Sequence, residues 1–151
     1  MVTEIIKGVF YYPLDVIGTT GGSVMHAIKG FDPDFYEFGE CYFSTAASKS
    51  PKAWKKHSRM VCNLFVPQGK VHFVFYDDRL DSRDFKKIKE FTLSKENYGR
   101  LVIHPGIWFG FSGISDDESL ILNLATIKHD PAESLRLEPG TDRIPYNWEF
   151  N

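Results

Sequence analysis

Apolar and polar positions alternate over short stretches of this chain, and no long window carries apolar residues at helical spacing. Glu4–Leu14 (EIIKGVFYYPL) is rich in β-branched and aromatic residues and reads as a first strand ending near Pro13. Gly18, Gly21, Gly22 and Gly30 mark 16–30 as mostly loop, with one short strand over Ser23–Ile28. Asp32-Pro33-Asp34 is a turn signal, and Phe35–Ser44 (FYEFGECYFS) reads as a strand with a bulge at Gly39. Trp54–Pro67 and Lys70–Tyr76 read as paired strands across Pro67-Gln68-Gly69. In the second, Val71, Phe73 and Phe75 alternate with Lys70, His72 and Val74, which predicts one buried and one wetter face. A polar loop over 81–89 runs into a strand over Lys87–Leu93, and Ser94 is placed to cap a short helical turn through Tyr98. Further strands are expected over Arg100–Ile103, Ile107–Phe111 and Leu120–Thr126, with His104-Pro105-Gly106 as a turn. The segment 128–151 has three prolines and mixed charge, and is expected to wrap the outside. Short strands at this spacing predict an antiparallel all-β sandwich or barrel, one domain over 1–151.

Composition narrows the class. At 151 residues the chain can bury a full core, and 42% hydrophobic with 25% charged is ordinary for a soluble globular protein. The aromatic share of 15% suits strands and pocket walls. A net charge of −2 argues against a nucleic-acid partner, which calls for a basic stripe. No apolar run approaches the roughly 18 residues of a spanning helix, so no membrane association is expected. The start, MVTEIIKG, lacks the pattern of a signal peptide, and Cys41 and Cys62 make no disulfide framework. A cytoplasmic setting is the expectation.

Four motifs in order, between Glu40 and Trp148, carry a resemblance. They are Lys52-Ala53-Trp54-Lys55; Gly69-Lys70-Val71 followed by Asp77-Asp78-Arg79; Leu93-Ser94-Lys95-Glu96-Asn97; and Ile103–Phe111 (IHPGIWFGF). They resemble the Arg-Gly-x-His, Gly-x-Val with Asp-x-Arg, Leu-Ser-x-Glu-Asn and Ile-Pro-x-Gly-x-x-His-Gly-Phe elements of dTDP-4-dehydrorhamnose 3,5-epimerase and its relatives. The resemblance implies a cupin-type double-stranded β-helix, a jelly-roll barrel. It further implies a homodimer, with the N-terminal 1–30 exchanged between subunits, acting on a nucleotide-linked 4-keto sugar in cell-surface polysaccharide synthesis. The family's base falls at Lys55, its Tyr acid near Lys128 and His129, and the Asp that partners the base near Glu138. Its oxyanion Lys falls near Cys62, and a phosphate-binding Arg-Gly pair at Gly21-Gly22. Glu40 and Tyr42 match positions that touch the nucleotide, and Lys52 one that meets substrate.

Moving a proton next to a ketone needs a base, a donor or cation for the enolate oxygen, and an acid. His57 is the best base by its ordinary pKa, about 6.5. Lys55 and His57 share a face of an extended strand, so Lys55 could hold the 4-keto oxygen, or act as base itself if burial lowers its pKa. Lys56 should point outward. The same basic run, with Arg59 as a further substrate contact, also reads as a solvated strand end. Asp77 could orient a basic neighbour or simply close a turn, and His104 could reach the cavity. Cys62 reads as a wall residue of the binding site and not as a nucleophile. Cupin metal ligands would fall at Lys55, His57, Cys62 and Phe109; a protonated Lys and a Phe supply no donor, so no metal and no cofactor are expected. A non-catalytic sugar-nucleotide-binding cupin stands as the alternative. So does a sugar-nucleotide 3,4-ketoisomerase, whose His-x-His pair is represented by His57 alone.

Overall fold

Thirteen β-strands and one 3-10 turn make up the regular structure of the computed structural model, which describes residues 1–149. The strands are β1 Thr3–Ile6, β2 Val9–Pro13, β3 Val16–Thr19, β4 Gly22–Met25, β5 Glu40–Ala46, β6 Lys52–His57 and β7 Cys62–Gln68. They continue as β8 Lys70–Tyr76, β9 Ile88–Ser94, β10 Gly99–Ile103, β11 Trp108–Gly113, β12 Ser119–Ala125 and β13 Ser134–Arg136. β1-β2-β10-β7-β12-β5 form a six-stranded sheet and β13-β6-β11-β8-β9 a five-stranded one, with every pairing between strands antiparallel. From β5 onward the chain changes sheet at every connection except β8 to β9. That winding is the jelly roll of a cupin, and the all-β expectation holds. Among the described residues no helix is long and apolar enough to cross a membrane.

The core lies between the sheets. Val71, Phe73 and Phe75 of β8 point inward against Leu64, Val66, Leu101 and Ile103. Each fully buried side chain of this size contributes about 1.5–3 kcal/mol.

Several local expectations are corrected. The first strand is two, β1 and β2. The glycine-rich stretch holds a hairpin, β3 with β4, that belongs to neither large sheet. β5 begins at Glu40, and Gly39 marks a close crossing in place of a bulge: a Cβ there would stand 2.3 Å from the Ile127 backbone. The stretch after Ser94 is a turn, with the Asn97 N–H donating to Ser94 Oγ at 3.2 Å. β7 and β8 are not a hairpin, because they lie in different sheets. Cys62–Val66 is buried throughout, so β7 needs cover on both faces, and the chain turns a corner at Gly69. Gly69 has φ +87, and a Cβ would lie 2.2 Å from Ser119 Oγ.

The predicted wetter face of β8 is dry at Val74 and Tyr76. The C-terminal segment covers it: Ile144, Tyr146 and Trp148 pack with Trp54, Val74, Tyr76 and Trp108 on the outside of the five-stranded sheet. Tyr146 donates its hydroxyl to Glu90 at 2.7 Å and stands 3.3 Å from His72 Nε2. The expected outer wrap is therefore structural cover; Phe150 and Asn151 lie outside the described residues.

Candidate functional site

A cavity of about 780 Å3 opens between the two sheets at one end of the barrel, a size usual for small-molecule sites. β6 supplies Lys52, Lys55 and His57 on the five-stranded side, and β13 with its continuation adds Arg136 and Glu138. β5, β7 and β12 supply Tyr42, Cys62, Leu64 and Asn123 from the six-stranded side. Phe109 and Phe111 of β11 add apolar lining.

His57 is the best-anchored polar group of the lining. Its Nδ1 meets Glu133 Oε1, and both side chains are buried. The other oxygen, Oε2, accepts from the backbone N–H of Ser58, Arg59 and Met60 at 3.3, 3.1 and 3.2 Å. Burial raises the Glu133 pKa, but the His57 hydrogen bond and the backbone donors outweigh it, so the carboxyl sits below its ordinary range. An ionised Glu133 accepts the Nδ1 proton and leaves the Nε2 lone pair unspent, with no hydrogen-bond partner among the described residues. The ring lies stacked on Phe109, centroids 6.1 Å apart. Burial pushes the His57 pKa down; Glu133 pulls it back only in part, and Lys55 and Arg136 add to the lowering. A neutral imidazole backed by a carboxylate has the chemistry a general base requires.

Lys55 lies in register with Arg136 on β13 and Phe109 on β11. It is half-buried, and burial first, then the Arg136 charge, lowers its pKa. Lys52 donates to the Thr45 carbonyl at 2.8 Å. Lys52, Lys55 and Arg136 face only Glu138 as a carboxylate within the lining, so the cavity favours an anionic guest. Cys62 is buried and burial pushes its thiol up to about 12, which removes it as a nucleophile at neutral pH. Among the described residues no three His, Cys, Asp or Glu side chains converge.

The structure brings together Lys52, Lys55, His57, Tyr42, Cys62 and Glu138 of the residues picked from sequence. Others lie elsewhere. The carboxylate on His57 is Glu133, because the 3-10 turn Pro131–Glu133 ahead of β13 delivers it; Glu138 lies beyond β13 at the cavity rim. Lys128 is exposed and outside the cavity lining, on the link that leaves β12. Arg59 points outward and pairs with Asp130 at 2.9 Å. Asp77 is a closed structural anchor that accepts from Arg79 N, Nε and a terminal nitrogen and from the Ser82 hydroxyl. His104 packs edge-on to Phe10 and stays outside the lining, as does Glu40 at the start of β5. Lys56 points outward as expected, paired with Asp78 at 3.0 Å and over the Trp108 ring.

Three lining or supporting residues were missed. Glu133 and Arg136 come from the segment read as a wrap. The only local sign was Asp130-Pro131, which caps the turn that presents Glu133. Asn123 was visible in principle as a polar residue on the inward face of β12, which also carries Ser119, Ile121 and Ala125.

No protein-family model matches the chain. The chain is 31% identical over 127 residues to the probable low-salt glycan biosynthesis epimerase Agl13 of Haloferax volcanii, covering 81% of this chain and 78% of that protein. A dTDP sugar isomerase from Desulfovibrio desulfuricans G20 superposes with a TM-score of 0.91 at 36% identity, over 95% of this chain and 92% of the other. A dTDP-4-dehydrorhamnose 3,5-epimerase from Bacillus anthracis, solved with TDP and pyrophosphate bound, shares the fold at 15% identity, TM-score 0.84, over 100% and 92% of the two chains.

Proposed function

Because the chain belongs to the dTDP-4-dehydrorhamnose 3,5-epimerase-like family of sugar-nucleotide epimerases and isomerases, we propose that it isomerises a nucleotide-linked 4-keto sugar by proton abstraction next to the ketone. The observation that carries this is the His57–Glu133 pair, with Nε2 unspent, on the same wall as Lys55. His57 Nε2 takes the α-proton while Glu133 steadies the imidazolium that forms. The carbonyl oxygen gains charge beside Lys55, and a fixed cation in a partly dry cavity stabilises that oxygen more than the ground-state ketone. Lys52 and Arg136 serve the diphosphate. Cell-surface polysaccharide synthesis is the proposed setting, in keeping with a glycan-biosynthesis relative.

The test is wash-in of solvent deuterium at the carbon beside the ketone, across a panel of dTDP-, UDP-, GDP- and CDP-linked 4-keto sugars. Wild type should exchange with at least one sugar and His57→Ala with none. No exchange on the whole panel, alongside a nucleotide-dependent rise in melting temperature, would point to a binding protein without turnover. A 3,4-ketoisomerase remains a second reading, since the 36% identical relative is named an isomerase; the position of the carbonyl in the product separates the two.

We further infer a homodimer. β1 and β5 are free edges of the six-stranded sheet, and Phe43 on β5 is 66% exposed. The β3–β4 hairpin projects exposed Ile17 and Val24, which suits an N-terminal arm exchanged between subunits. Sedimentation should give twice the chain mass, and a monomer at micromolar concentration would refute it. Both cysteines are free, in keeping with a reducing cytoplasm; secretion of the native protein would refute that setting.

A further inference from the structure

β6 carries three lysines, and the structure treats them differently. Lys52 is exposed and donates to the Thr45 carbonyl at 2.8 Å. Lys56 points outward, 3.0 Å from Asp78 and over the Trp108 ring. Lys55 lines the cavity, half-buried, and its nitrogen has neither a hydrogen-bond acceptor nor an ion partner among the described residues. Its in-register neighbours are Arg136 on one side and Phe109 on the other, a pairing that sets side chains about 5 Å apart at Cβ. A desolvated lysine beside a second cation is the setting that favours the neutral amine, the form with a lone pair to share. Burial first, and then the Arg136 charge, lower the Lys55 pKa accordingly. The Cys62 thiol in the same lining stays protonated, so the amine is the better nucleophile of the two.

We propose that Lys55 acts covalently: its amine condenses with the keto carbon of the sugar nucleotide, and His57 takes the α-proton from the iminium that results. This rests on the proposed substrate and on His57 as base. It carries Lys55 from a cation beside the oxygen to a cation bonded at the carbon. The step balances with water and protons alone. The Lys55 lone pair forms the C–N bond as the carbonyl π pair moves onto oxygen, which gains its charge there. That oxygen takes one proton from the nitrogen and one from solvent. The C–O bond then breaks, water leaves, and the nitrogen lone pair closes the C=N bond. A positive nitrogen on that carbon draws electrons from the adjacent C–H bond more strongly than a neutral ketone does. His57 stands two residues along the same face of β6, about 7 Å on by strand rise. It takes the proton, the C–H pair becomes the enamine double bond, and the C=N π pair returns to nitrogen. A proton from the imidazolium or from water returns to carbon and re-forms the iminium. Water adds back, the C–N bond breaks, and the isomer leaves with the Lys55 amine restored.

Trapping separates a bonded Lys55 from a merely charged one. The protein is incubated at neutral pH with each dTDP-, UDP-, GDP- and CDP-linked 4-keto sugar of the panel and sodium cyanoborohydride, then digested and mapped by mass spectrometry. Cyanoborohydride reduces an iminium and spares a ketone under those conditions. With a sugar that washes in deuterium, the Lys55 peptide should gain the mass of the sugar nucleotide less one oxygen atom. An excess of the matching nucleoside diphosphate should suppress that gain. Lys55→Arg keeps the positive charge and cannot condense, so its wash-in should fall about a hundredfold or more, as far as in Lys55→Met. Melting temperatures within about 3 °C of wild type certify the fold of both variants. No adduct on a sugar that washes in deuterium overturns the proposal, and so does an adduct at Lys52 in place of Lys55. Wash-in by Lys55→Arg within about threefold of wild type overturns it as well, since charge alone would then suffice. Absence of wash-in by wild type on every sugar removes the isomerisation itself. An adduct at Lys55 would in that case leave the condensation standing without turnover, and no adduct would remove both readings.

Discussion

Two buried carboxylates in this molecule look alike by burial and differ in what they leave over. Asp77 is 0% exposed, and its oxygens are taken by Arg79 and Ser82, with nothing presented to a cavity. Glu133 spends one oxygen on three backbone N–H groups and the other on His57, a cavity-lining residue whose second ring nitrogen has no partner among the described residues. Burial with a charged partner therefore does not mark a site. What sets Glu133 apart is that its charge bears on a cavity-lining group with an uncommitted nitrogen, and the proposed site rests on that difference.

Substitutions can pull this contrast apart. His57→Ala should lower turnover by about 10²–10⁴, the range for a lost general base, measured with the responsive sugar of the panel. Asp77→Ala should leave turnover per folded molecule unchanged but destabilise the fold by about 3 kcal/mol in urea unfolding. That is the low end for a broken buried pair, because the Arg79 side chain, 27% exposed, keeps some water. Equal effects of both on turnover would erase the distinction. Lys55→Met should lower turnover about a hundredfold with little change in stability, since Lys55 makes no ion pair among the described residues.

The pH dependence is smaller and equally directional. The His57 pKa lies below its ordinary 6.5, so the base stays neutral at neutral pH, and turnover should fall only on an acid limb centred below that value. Glu133→Gln removes the one group that raises the His57 pKa, so the limb should move further down, with a lower plateau. For stability, the unfolded chain takes up this proton near 6.5 and the folded chain only at lower pH. The contribution is thus present above that range and lost as pH falls through the folded value. Glu133, also lowered in the fold, adds to stability above its ordinary 4.5 and loses that contribution on further acidification. An acid limb above 6.5 would contradict the burial argument. At the small end, Lys128→Ala should alter turnover and stability by less than about 0.5 kcal/mol, because the residue is exposed and outside the lining.

The fold was legible because alternation is a local signal: Val71, Phe73 and Phe75 announce an inward face without help from elsewhere. The motif order added the winding, which periodicity alone leaves as sandwich or barrel. Misreadings came where a distant segment decides the environment. Val74 and Tyr76 are dry only because Ile144 and Trp148 cover them. β7 and β8 look like a hairpin because a glycine corner and a hairpin turn use the same residues. At the site, Lys55 and His57 were readable together because strand geometry places them on one face. Their partner was not, since Glu133 is 76 residues from His57 and its position follows from the pairing of β13 with β6. Arg136 hides for the same reason.

That late turn and strand have a consequence for how the protein comes into being. During synthesis β1 to β12 leave the ribosome before residues 131–138 do. A nascent chain paused just short of that point already owns His57, Lys55 and the cavity floor, yet its imidazole has no carboxylate behind it. The carboxylate behind the imidazole thus arrives only once residues 131–138 follow the earlier strands out, and a chain halted before them would carry His57 without it.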